Sequence, residues 1–175
     1  MTTALQKTEK IRAVFLETQL FYAKHDEMPA LIAYLSDTEK EFSSIAYESA
    51  SMAIALKSFE AETFPHEWLL FASGPAAAHH AQVYVGLGWA IAKFNFPFLT
   101  AVIKLDAKFY FRIADGCGYY DGSFKHRRTV TNKELPVYLP DAAMPMYYQG
   151  VGRSIWYTAK ADIHHICSKI ESFAA

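Results

Sequence analysis

The chain has 175 residues, 52% hydrophobic and 20% charged, which excludes disorder as the default and leaves room for one domain around one core. Seventeen Lys and Arg against 18 Asp and Glu leave a formal charge of −1, which excludes a whole-domain electrostatic grip on nucleic acid. Two cysteines, Cys117 and Cys167, fit a reducing compartment better than a disulfide framework. The aromatic share of 15% calls for either a heavily packed core or an aromatic-lined surface.

The chain opens without a secretory signature: Lys7, Glu9, Lys10 and Arg12 interrupt any apolar run. Helical spacing follows at once, with Ile11, Val14, Phe15, Thr18 and Tyr22 on one face. The longest nearly uncharged stretch, residues 81–94, suits a buried helix and is too short to span a membrane. Toward the other end Ile163, Ile166, Cys167 and Ile170 repeat the helical spacing. Together these features predict a cytoplasmic, all-α, single-domain protein over 1–175.

Between the two terminal helices the punctuation repeats. Pro29, Pro65, Pro97 and Pro136 each open a short apolar run, as a proline can in a first helical turn. Each is followed by two small residues flanking one other: Ser49/Ser51, Gly86/Gly88, Gly116/Gly118 and Gly150/Gly152. Four units of about 34 residues, each a short helix and then a longer one, predict a solenoid-like array of helical hairpins with N- and C-terminal capping helices. Glycine inside a helix costs about 1 kcal/mol against alanine, so the pairs need a reason, and close helix packing supplies one. Room for a ligand would supply another.

Residues four apart share a helix face, so Glu48 with Met52, Val85 with Trp89, Asp115 with Tyr119, and Gln149 with Arg153 would form two columns along one surface. Charges there must be wet, paired or gathered around a ligand. The simplest pairing is Arg153 with Asp115 or Glu48. The functional alternative is a binding site built from Glu48, Trp89, Tyr119, Gln149 and Arg153. In the third unit Asp115, Tyr120 and Asp121 could do acid–base chemistry if burial raised one carboxyl, although Asp121-Gly122 also reads as a turn. Lys125–Arg128 reads as solvated surface or as a patch for phosphate or an acidic carrier protein. His79-His80 and His164-His165 are adjacent pairs that diverge on a helix, so no metal site is expected. No nucleotide-binding or hydrolase motif is present, and no cofactor is expected.

The segments VYVGLGWAIAKF, DGCGYYDGSF with its basic run, and YYQGVGRSIWY resemble, in that order, the UnbL-like family of uncharacterised proteins that accompany enediyne polyketide clusters. AYESASMAIAL is similar to an earlier element of the same proteins. The resemblance covers residues 45 to 173 and departs from the family at Tyr120, where a histidine is usual, and at Asp121, where a glutamate is common. The chain is also about half the family's usual length. The resemblance implies an accessory or ligand-binding role in making an apolar, polyketide-like metabolite, with an apolar small molecule or an acyl carrier protein as partner. The first alternative is an enzyme acting on a polyene or aromatic substrate through Asp115 or Asp121, with Arg153 holding an anionic group. The second is a structural subunit, as a homodimer or part of an assembly, meeting its partner through Phe94–Phe98 and Met144–Tyr148.

Overall fold

The computed structural model describes residues 4–159 and 162–174, and among these every regular element is helical. In chain order the α-helices are α1 (Ala4–His25), α2 (Met28–Asp37), α3 (Ser43–Glu60), α4 (His66–Ser73), α5 (His80–Phe94), α6 (Phe98–Val102), α7 (Tyr110–Phe124), α8 (Met144–Thr158) and α9 (Ile163–Ala174). The proline logic holds three times. Pro29 lies in the first turn of α2, while Pro65 and Pro97 stand just before α4 and α6. The fourth fails: Pro136 opens a turn, followed by a single 3-10 turn at Asp141–Ala143. Pro140 explains it, because it has no N–H to return to the Pro136 carbonyl and it disfavours helical geometry at Leu139. The loop is instead pinned by the Phe98 N–H, which donates to the Tyr138 carbonyl at 3.0 Å.

Neighbouring long helices meet at matching ends. Lys7 pairs with Glu41 near the starts of α1 and α3, and Lys57 with Asp26 near their ends. Ser44 reaches His79 where α3 and α5 begin, and Phe59 meets Phe94 where they finish. Phe109 stacks on Tyr84, and Lys125 donates to the Ala92 carbonyl at the opposite ends of α5 and α7. The long helices therefore run parallel, each short helix with its loops carrying the chain back. This is the expected array of hairpins. Helix α1 acts as its first long member, and α9 buries only Ile166 among its described side chains.

The small residues set the register. A Cβ on Gly86 would overlap the Glu48 carbonyl oxygen, on Gly116 that of Val85, and on Gly150 that of Asp115. Each of these carbonyls belongs to the residue just before the small pair of the preceding long helix. In return Gly88 faces the Ile113 carbonyl and Gly118 that of Tyr147. In α3 serine does the same work by hydrogen bonding. Ser49 Oγ donates to the Phe15 carbonyl at 2.6 Å and Ser51 Oγ to that of Val83 at 2.5 Å. Ser51 Oγ also accepts from the buried Trp68 indole N–H.

Three expectations need correction. Asp121-Gly122 is no turn: α7 continues through it, because Gly122 is covered by the Ser154 side chain and tertiary contact outweighs weak helix propensity. Gly152 is not a close-packing residue. Among the described residues a Cβ there would meet nothing within 4 Å, because α8 is the last long helix of the array. The supposed interface rings also turn mostly inward: Phe96 stacks on Phe59, Phe98 and Tyr147 are buried, and Phe94 and Tyr148 stay exposed.

The two kinds of glycine should respond oppositely to a methyl group. Gly118→Ala is expected to lose about 1–3 kcal/mol by overpacking. Gly152→Ala should be neutral or gain up to about 1 kcal/mol from helix propensity. Urea denaturation of both variants tests this, and a large loss at Gly152 would contradict the open face.

Candidate functional site

Close approach at the small pairs turns their flanking residues to one side of the layer. There Glu48 of α3, Trp89 of α5, Tyr119 of α7 and Arg153 of α8 line a partly open cavity of about 510 Å³, with α1 as the opposite wall. The wall is largely aromatic. Phe15 lies 4.7 Å from Trp89 between ring centroids, Trp89 4.8 Å from Tyr119, and Tyr119 5.6 Å from Tyr157. Leu5, Ile11, Leu16 and Ile45 add aliphatic surface, and Glu9 and Arg12 bring charge from α1.

Glu48 and Arg153 line the cavity, and Asp115 lies buried behind Arg153. Arg153 donates to both Asp115 oxygens, Nε to Oδ1 at 3.2 Å and Nη2 to Oδ2 at 2.6 Å. Its guanidinium also sits 4.8 Å from the centre of the Tyr119 ring. The Arg153 side chain is 40% exposed and Asp115 is buried, in keeping with the expected pair. Burial pushes the Asp115 carboxyl up, against the pull of Arg153. Burial likewise raises the Tyr119 phenol, with Glu48 adding to it.

Glu48 is the group left over. Only 6% of it is exposed, and among the described residues nothing hydrogen-bonds its carboxyl. Burial pushes this carboxyl up to about 7, although Arg153 draws it down. On the same wall the Trp89 indole N–H is buried without an acceptor. The site therefore combines an apolar body, one ion pair and one carboxyl without a protein partner, able to exchange a proton near neutrality.

The proposed catalytic residues do not form one site. Asp115 stands behind the cavity wall, joined to it through Arg153, and is not itself a lining residue. Asp121 is buried in a separate cluster, where its Oδ2 accepts from Tyr138 at 2.6 Å and Tyr147 at 3.1 Å. Its Oδ1 lies 2.8 Å from Lys125 Nζ. Burial above all pushes both phenols up, with the Asp121 charge contributing. Tyr120 packs against Trp89 and Phe124 and does not line the cavity. Gln149, expected to bind ligand, is exposed and also lies outside the cavity lining. Its helix ends the array, so its column has no further neighbour to enclose it.

The basic run is largely occupied within the fold: Lys125 in the Asp121 cluster, His126 against the Gly122 carbonyl and Arg128 with Glu134. No group of metal-binding side chains occurs among the described residues. The contribution of α1 to the cavity, notably through Ile11, Phe15 and Leu16, is not legible in the sequence. Helix α1 carries no small-residue pair, and so no sign of its place in the array.

An array of parallel long helices enclosing an aromatic cavity with a buried charge cluster defines the class: an all-α helical-repeat protein with a ligand-sized pocket. The chain belongs to the family described as "Protein of unknown function (DUF1702)", whose family model matches residues 1–175. No curated protein and no solved structure matches it. No helix among the described residues is long and apolar enough to cross a membrane.

Two variants probe the charge cluster. Arg153→Ala strands a buried Asp115 and should lose about 1–3 kcal/mol, less than the ~3–5 kcal/mol of a fully buried pair because the guanidinium is 40% exposed. Adding Asp115→Asn should recover part of that loss in a double-mutant cycle. For Glu48 the raised carboxyl means that the fold favours the protonated form. Its contribution to stability is complete below the ordinary value of 4.5, fades as pH rises to about 7, and stays lost above that. Glu48→Gln should match the wild type near pH ~4.5 and exceed it by on the order of 2–3 kcal/mol at pH ~8. Urea denaturation across that range decides the point, and an equal effect at both ends would contradict it.

Proposed function

We propose that this protein binds an apolar small molecule in the cavity between α1 and the column residues, in an accessory or carrier role rather than by acid–base catalysis. The observation that carries this reading is an aromatic-walled space of about 510 Å³ lined by a carboxyl with no protein partner. That volume falls within the ~300–1,000 Å³ usual for small-molecule pockets, which are likewise mostly apolar with a few placed polar groups. The UnbL-like resemblance adds the biosynthetic setting: the ligand would be a polyketide-like metabolite or intermediate, handled in the cytoplasm. Binding is preferred to catalysis at Asp115, Tyr120 and Asp121 because the first is held by Arg153 and the other two lie away from the cavity.

The test is native mass spectrometry of the protein purified from its own host. A retained small-molecule mass is expected in the wild type. It should be lost in Ile45→Trp, where the indole would fill the cavity, while circular dichroism confirms that the variant is folded. A bare wild-type mass under conditions that preserve non-covalent complexes would overturn the reading.

A further inference from the structure

We infer that the cavity takes an uncharged amphiphile whose polar end is a hydrogen-bond acceptor, and that Glu48 carries a proton in the complex and donates it to that acceptor. This rests on the binding reading above and specifies the chemistry of its ligand.

Charged and titratable groups line or back the cavity around Glu48 from several helices. Helix α7 contributes Asp115 and Tyr119, helix α8 Arg153 and Tyr157, helix α1 Glu9 and Arg12, and helix α5 only the neutral Trp89. Arg153 is already matched by Asp115 through two hydrogen bonds. An anionic ligand would therefore meet the Glu48 and Glu9 carboxyls with Arg153 already taken, leaving only the exposed Arg12 of α1 to hold it. A cationic ligand would suit an ionised Glu48, but it would sit beside Arg153 and could accept nothing from any donor in the wall. A protonated Glu48 is a donor without a protein partner and calls for an acceptor on the ligand, whereas the Trp89 N–H is buried out of the ligand's reach.

An empty cavity of this size can hold water to solvate an ionised Glu48. An apolar ligand displaces that water, and the charged form then loses its remaining solvation. Uptake of a neutral ligand must therefore draw a proton onto Glu48, whereas a cation would expel one. The burial that already raises this carboxyl to about 7 places the effect within an accessible pH range.

Nile red is a suitable probe: it is neutral across the range, apolar, and carries a carbonyl acceptor. Its fluorescence titration should give a Kd that is flat below pH ~7 and rises about tenfold per pH unit above it. Glu48→Gln should bind with the low-pH affinity at every pH. Calorimetry of the wild type in two buffers of different ionisation enthalpy should show proton uptake on binding at pH ~7.5, a readout that does not depend on the variant folding. Affinity independent of pH, or proton release on binding, would overturn the inference and leave the binding reading intact. Stronger displacement of Nile red by dodecylammonium than by a methyl ketone of equal chain length would also overturn it. Failure of Nile red to bind the wild type at any pH would remove both.

Discussion

The fold depends on one repeated contact: a backbone carbonyl of one long helix resting against a residue with little or no side chain on the next. At Gly86, Gly116 and Gly150 the neighbouring carbonyl occupies the place of a Cβ, and at Gly88 and Gly118 the contact is returned. Each internal glycine costs about 1 kcal/mol in helix propensity, and the contacts between backbones offset it with dispersion and weak Cα–H···O interactions. Because no side chain intervenes, neither helix can rotate about its axis without a clash. Rotation fixes facing, and facing sets which residues reach the cavity.

Two carboxylates in the same helix show what this rotation decides. Asp115 and Asp121 are six residues apart in α7, and the helix turns them to different environments. Asp115 meets Arg153 at the cavity wall. Asp121 gathers Tyr138, Tyr147 and Lys125, and Lys125 also reaches the Ala92 carbonyl. That second cluster ties α5, α7, α8 and the loop around Tyr138 together, where Pro140 prevents a fourth short helix. A buried carboxylate whose Oδ2 accepts from two phenols and whose Oδ1 faces the Lys125 ammonium suits a fastening. The polar residues of the third unit thus divide into one set serving the cavity and one holding the array.

The array and its columns were legible because periodicity and spacing carry them. Prolines opened three of the four short elements, the small pairs marked the long helices, and the i, i+4 rule put Glu48, Trp89, Tyr119 and Arg153 on one surface and paired Arg153 with Asp115. What was not legible depended on partners remote in sequence. Nothing local shows that Gly152 lacks a covering helix while Gly118 has one, since both stand in the same pattern. Asp121-Gly122 looks like a turn until Ser154 arrives from α8. Phe15 has no flanking small pair, yet its carbonyl receives Ser49 as the Glu48 carbonyl receives Gly86. The state of Glu48 was hidden for the same reason: its burial is set by α1, α7 and α8 together.

Glu48 also links the packing constraint to the proposed chemistry. Its carbonyl is covered by Gly86, and the next residue, Ser49, is held by its hydrogen bond to Phe15 and by Gln19, whose side chain donates to the Ser49 carbonyl at 2.6 Å. The α3 backbone is thereby clasped from α1 on one side and α5 on the other. A carboxyl on a freer helix could swing toward solvent and recover its ordinary acidity. This one cannot do so without breaking the register that sets the array. The burial that raises Glu48 is thus imposed by the same contacts that hold the helices in line, and its proton affinity is coupled to the packing of α1, α3 and α5. A substitution that loosened the Gly86 contact should lower the Glu48 proton affinity even though it touches no atom of the carboxyl.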